Sequence, residues 1–156
     1  MTKRTKLLSL ALVTVMALTV VSGAGVLIAS GAQRPARCHH SVPFVGCFSG
    51  HSQVIAGGTS DTGTGIFTLC GRSRVEGSQI TGTQYPQPYQ MTITAANGDT
   101  IRLHVPPGSS TYQIDGDTGR FAPVVGGTGR FALQRSTSGS EVIFSGHLDG
   151  TIIFAS

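Results

Sequence analysis

The 156-residue chain has no tryptophan, and only 12% of its residues are charged. Lysine is absent beyond residue 6. From residue 33 onward eight arginines stand against seven acids, a net charge of +1. The formal +4 of the whole chain is therefore set by Lys3, Arg4 and Lys6. The clustered cations that a nucleic-acid binder needs along one face are missing, so no nucleic-acid partner is expected. No segment after residue 32 keeps a helical period over three turns, which excludes a helical bundle. No G-x-S-x-G elbow joins a strand to a helix, and this removes the usual hydrolase triad. The length suffices for one modest domain and excludes two packed ones.

What is present begins with a leader. Lys3, Arg4 and Lys6 precede the apolar run 7–21, followed by the small-residue triplets Ser22-Gly23-Ala24 and Ser30-Gly31-Ala32. That is the order of a secretory signal peptide, assigned to residues 1–32. Cleavage after Ala32 is preferred because Gln33-Arg34-Pro35 turns abruptly polar, and cleavage after Ala24 is the other choice. An uncleaved anchor stays open as well, since residues 7–30 carry no charge and about 20 apolar residues span a bilayer. The glycines and alanines near the triplets favour cleavage. The protein is expected outside the cytoplasm, secreted or in the cell envelope, and on the membrane only if the leader is retained.

All three cysteines, Cys38, Cys47 and Cys70, fall in the exported part, where oxidation is permitted. One disulfide is expected, with Cys38–Cys47 the preferred pair because the loop between them contains Pro43 and Gly46. Three single pairings are open on the sequence alone. Cys38, His39, His40, Cys47 and His51 do not match the paired-ligand spacing of zinc motifs, and neither a metal nor a cofactor is expected.

Residues 33–50, with their Pro, His and Gly, read as an irregular N-terminal arm. From residue 51 to 156 short runs of Val, Ile, Thr, Phe and Tyr alternate with Gly-containing turns, the pattern of an all-β sandwich or barrel. Strand-like runs fall at 52–56, 65–70, 74–83, 89–95, 99–105, 111–115, 120–125, 129–135, 141–148 and 151–154. About eight strands joined by tight turns suggest a small antiparallel up-and-down β-barrel, which leaves no exposed edges. Such a barrel holds packed side chains or one small ligand. The clearest hairpin is 89–105. A two-residue Asn97-Gly98 turn would put the apolar sets of its arms on opposite faces. A three-residue loop Ala96-Asn97-Gly98, with Gly98 in the left-handed position, pairs Ile93 with Ile101, Met91 with Leu103 and Tyr89 with Val105. Thr92, Thr94, Arg102 and His104 then share the other face. The segment 117–122 recurs at 127–132, with a weaker copy at 63–67, and reads as reuse of a Gly-Thr-Gly turn leading into a strand.

Val125-Gly126-Gly127-Thr128-Gly129-Arg130-Phe131-Ala132-Leu133-Gln134-Arg135 resembles the V-G-G-T-G-x-F-x3-R signature of dirigent proteins and allene oxide cyclase-like barrels. Gly146-His147-Leu148-Asp149-Gly150-Thr151-Ile152 looks like the final barrel strand of bacterial members. The resemblance spans roughly residues 51–154 and is sharpest at 125–135. It implies an eight-stranded barrel, often trimeric, whose apolar lumen folds a reactive organic molecule into one geometry, so that orientation supplies most of the effect. Ser136 stands where dirigent proteins often have Gly, and the acidic residue that some place in the Gly-Thr turn is absent. Both departures count against lignan-type coupling. Arg135 alone carries over, as a pocket-lining group.

Tyr89 and Tyr112 join Arg135 as candidate ligand-binding residues, because each belongs to an apolar strand face and carries a hydroxyl that needs a partner when buried. Glu76, Asp115, Glu141 and Asp149 are carboxylates that would act as acid or base only if turned into a dry lumen. Asp115 reads first as a turn former, and Glu76 as a surface partner for a neighbouring arginine. His104 and His147 fall on the polar sides of their strands. The first expectation is an exported barrel that binds or templates a small apolar molecule without covalent chemistry. The alternatives are an isomerase or cyclase using the same lumen, and a structural or interaction module with a filled core.

Overall fold

A computed structural model describes residues 39–156. The leader, residues 33–37 and Cys38 lie outside the described residues. Eight antiparallel strands form one closed barrel in sequence order: β1 His39–Ile55, β2 Gly58–Phe67, β3 Gly71–Ile80, β4 Tyr89–Ala95, β5 Thr100–Val105, β6 Thr111–Asp117, β7 Val124–Ser138 and β8 Glu141–Ala155. One 3-10 turn, Gly119–Phe121, lies between β6 and β7. Closure comes from β1 and β8, which pair from His39 opposite Ala155 to Ser52 opposite Val142.

The hairpin at 89–105 has the register its alternation predicts: Ile93 faces Ile101, Met91 faces Leu103 and Tyr89 faces Val105. Gly98 has φ +90°. The Gly98 amide donates to the Ala95 carbonyl at 2.9 Å, and Ala95 N donates to Asp99 O at 2.8 Å, which closes a three-residue loop. Ile93 and Ile101 are fully buried, and burying side chains of this size contributes about 1.5–3 kcal/mol each.

The expected irregular arm is corrected from residue 39 onward, because residues 39–50 are the first part of β1. Pro43 is tolerated there because β1 has β8 alone as its partner until Gly46 meets Phe67 of β2. On the open side the Thr68 hydroxyl donates to Pro43 O at 3.0 Å and accepts from Val45 N at 3.2 Å, so the N–H that proline lacks breaks no ladder. The expected strand at 120–125 is also corrected: it begins in the 3-10 turn, and β7 starts at Val124. The runs 141–148 and 151–154 are one strand, β8.

The interior is apolar and close-packed, and the outer wall is mostly polar. This is the reverse of a membrane-spanning barrel. Along β1, Phe44, Phe48 and Ser52 point inward, while Val45, Cys47, Ser49 and His51 point out. Rings fill the lumen over inward-facing glycines. Phe48 lies 6.3 Å from Phe67, 6.1 Å from Phe131 and 6.1 Å from Phe144, centroid to centroid. A Cβ on Gly146 would sit 2.5 Å from the Phe48 ring, so the glycine is what admits it. Among the described residues no helix is long and apolar enough to cross a membrane.

The expected Cys38–Cys47 pairing involves Cys38, which lies outside the described residues; among the described residues no disulfide is present, and Cys47 and Cys70 are free. Cys47 stands inside β1, eight residues beyond His39. Cys70 is buried in the turn between β2 and β3. Burial pushes its thiol up to about 11; Arg120 opposes that rise and Asp99 adds to it.

Candidate functional site

Two ends of the barrel differ. One carries both outer termini of the described chain and the connections 68–70, 96–99 and 118–123. The other, here the mouth, carries the connections 56–57, 81–88, 106–110 and 139–140. At the mouth, inward positions of β1, β2, β4 and β7 bring Ser52, Asp61, Tyr89 and Arg135 together. Asp61 is fully buried (0% exposed), and the Arg135 side chain is 28% exposed. The Asp61 carboxylate accepts from Ser52 Oγ at 2.5 Å, from Tyr89 Oη at 2.9 Å and from Arg135 Nη2 at 2.6 Å. Arg135 Nε also donates to Ser52 Oγ at 3.3 Å, and the guanidinium lies 5.9 Å from the Tyr89 ring centre.

A buried ion pair must have its remaining lone pairs and protons satisfied to offset desolvation, and here each Asp61 oxygen is occupied. Burial raises the Tyr89 phenol well above its ordinary value. The adjacent Asp61 charge and hydrogen bond raise it further, and Arg135 opposes them. Tyr89 therefore stays a neutral donor. Gly77 makes room for it, since a Cβ there would lie 1.9 Å from the Tyr89 oxygen.

Next to this network a cleft of about 390 Å³ opens at the mouth, lined by Gln79, Tyr89, Val105, Phe131, Leu133 and the 106–110 connection, with Ala132 and Gln134 at its edge. Phe131 lies 5.5 Å from the Tyr89 ring. The cleft thus combines the apolar Val105, Phe131 and Leu133 with the polar Gln79, Ser109, Ser110 and Gln134, and Tyr89 connects it to the buried charge pair.

The structure brings together two of the three expected ligand residues, Arg135 and Tyr89. Tyr112 belongs elsewhere. It is fully buried against Phe44, edge to face at 6.4 Å, and its hydroxyl has no partner among the described residues. Burial, with Asp149 nearby, pushes that phenol up to about 12. Sequence reasoning missed Ser52 and Asp61. Asp61 shares parity with Phe67 through Gly63 and Gly65, but two glycines hide the alternation, and outward Ile66 mimics the opposite face.

The other expected carboxylates lie outside the lumen. Glu76 pairs with Arg74 at 2.7 Å. Asp115 takes His104 Nδ1 at 2.5 Å on the outer wall, where β6 bulges against β5. His147 and Asp149 are exposed on β8, along an outer groove of about 520 Å³ that also holds Cys47. Among the described residues no three His, Cys, Asp or Glu side chains are grouped to hold a metal ion. No family model, curated protein or solved structure matches the chain.

Proposed function

We propose that this is an exported barrel that binds a small apolar organic molecule in the mouth cleft without covalent chemistry. The observation that carries the proposal is the apolar wall of Tyr89, Val105, Phe131 and Leu133 around about 390 Å³, within the size range of small-molecule sites. The resemblance of residues 125–135 to dirigent and allene oxide cyclase-like barrels supports it, because Phe131 and Leu133 of that stretch line the cleft. The lumen beneath is filled with rings, so the ligand is held at the mouth and not in the barrel axis. Asp61 is fully buried with both oxygens hydrogen-bonded, so it is withheld from a ligand as a base.

The isomerase or cyclase reading draws on one feature: Arg135 is partly exposed, and its Nη1 is free of the Asp61 and Ser52 contacts. Such a group could polarise an oxygen. A homotrimer of the kind the resemblance implies is compatible with either reading.

The test is titration with the neutral dye N-phenyl-1-naphthylamine, in the absence of lipid. Saturable one-site fluorescence enhancement is expected, weakened about tenfold by Leu133→Ser through lost apolar contact, with an unchanged urea midpoint as the control. Equal affinity in the variant, or no saturable binding, overturns the cleft proposal. A native mass spectrum of the released protein would identify a co-purifying ligand. If that ligand is converted on incubation, and Arg135→Lys abolishes conversion while binding persists, the enzyme reading replaces the binding one.

A further inference from the structure

We propose that the mouth end of the barrel docks on the surface of an electrically neutral lipid bilayer. Three of the four mouth connections and the strand ends beside them, residues 53–60, 77–90 and 105–114, contain no Asp, Glu, Lys, Arg or His. Glu141, beside the fourth connection, faces His51 at 3.6 Å. The charged side chains Asp99, Asp117 and Arg120 lie at the other end.

The uncharged rim also carries apolar side chains with nothing on them. Val54 is 83% exposed, Tyr85 71%, Ile55 39% and Ile80 39%. Ile55 and Ile80 both face Gly58 across β2, so they form one row. The loop 81–88 is pinned to the same tip, because Thr81 N and Gly82 N donate to Gly57 O at 2.7 and 3.0 Å. Exposed apolar groups gathered in this way mark an interaction site.

The charge pattern chooses the occupant. An anionic membrane or a nucleic acid is recognised by Lys and Arg; the three stretches have neither, and Arg135, inside the mouth, is committed to Asp61. A protein interface is rimmed with charged and polar groups around a continuous patch. Here the exposed Val54, Ile55, Ile80 and Tyr85 gather at the tip of β1–β3, set among Ser, Thr, Gln, Pro and Tyr and without a charged rim on the three stretches. Tyrosine settles at the headgroup level of a bilayer, and projecting aliphatic tips insert a few ångströms without desolvating a charge. The first described residue, His39, faces Ala155 at the opposite end of the barrel. Docking sets the mouth cleft on the lipid, but the rim's uncharged surface is the same whatever the cleft binds.

The chain has no tryptophan, so Tyr85→Trp gives a single reporter at the rim and Ile66→Trp a single reporter on the wall, where Ile66 is 65% exposed. The full chain is mixed with phosphatidylcholine vesicles containing brominated acyl chains. We expect the Tyr85→Trp emission to shift blue and be quenched, the Ile66→Trp emission to do neither, and added Val54→Asp to lower partitioning about tenfold. Val54→Ser in the same background serves if the aspartate perturbs the hairpin. The proposal is overturned if Tyr85→Trp is unquenched, if both positions are quenched alike, as for a chain held by its leader alone, or if quenching requires phosphatidylglycerol. Because the dye titration uses no lipid, failure of one proposal is read separately from failure of the other.

Discussion

Asp61 shows what a single buried carboxylate organises. It ties β2 to β1 through Ser52, to β4 through Tyr89 and to β7 through Arg135. Three otherwise separate segments converge on it at the mouth. Removing one partner of a buried pair strands the other, at a cost of about 3–5 kcal/mol. Asp61→Ala should therefore lower the urea-derived stability by that order, whereas Asp61→Ala with Arg135→Met should recover more than half of the loss. Strictly additive single effects in the double-mutant cycle would show that the pair is not coupled. The two raised phenols give a pH dependence of definite sign. In the unfolded chain tyrosine ionises near pH 10, while Tyr112 is pushed up to about 12 and Tyr89 rises as well. Above pH 10 the unfolded state therefore binds fewer protons than the native state, and stability falls as pH rises. Their contribution is complete below pH 10, and that of Tyr112 is lost between pH 10 and about 12. Thermal midpoints over pH 9–12 check this, and Tyr112→Phe should flatten the decline.

At the scale of elements, one pentapeptide takes two conformations. Thr-Gly-Arg-Phe-Ala is a 3-10 turn with its flanks at 118–122 and extended strand β7 at 128–132. The turn-into-strand reading fits the first copy, where Gly119 has φ +62° and Phe121 is buried. In the second copy the surroundings decide: Gly129 stands across from Gly150, and Arg130 across from Asp149, in the β7–β8 ladder. Local sequence is identical, so pairing along β8 overrides it. The two glycines should fail differently on substitution. A Cβ on Gly119 meets the movable Asp99 carboxylate, whereas one on Gly129 meets Asp149 O at 2.3 Å and Gly150 Cα at 2.4 Å, both backbone. Gly119→Ala is expected to cost about 1–2 kcal/mol through its backbone conformation. Gly129→Ala should cost more, with chemical denaturation giving the order; the reverse order would mean that β7 yields locally. The 89–105 hairpin was legible because both arms alternate and Gly98 fixes the loop. The first half of β1 was not, because its inward positions include Gly46 and Gly50, its outward ones include Pro43, and its partner lies a hundred residues away in β8.

For the whole molecule, the count of strands and their closure were legible in the rhythm of apolar runs and turns, since eight short strands leave few ways to hide their edges. The site was legible in part. Arg135 and Tyr89 were named, but the buried acid that joins them was hidden in a glycine-rich strand without an apolar pattern. The barrel is not equally tight all round. β6 and β7 pair only from Thr111–Arg130 to Gln113–Thr128. Local opening follows thin hydrogen bonding, so amide exchange in 111–117 should run ahead of exchange in the β1–β8 pair. Protection in β6 equal to that in β8 would argue that the barrel opens only as a unit.

The β1–β8 seam has a further consequence, in time rather than in space. The strand that leads the described chain finds one of its two neighbours only in the strand that ends it, His39 against Ala155. A chain made or threaded from its N-terminus must therefore hold Phe44 and Phe48 uncovered on that side until the final strand has been delivered. The barrel becomes a barrel all at once and late. Until then that side of the first strand has no partner to pair with.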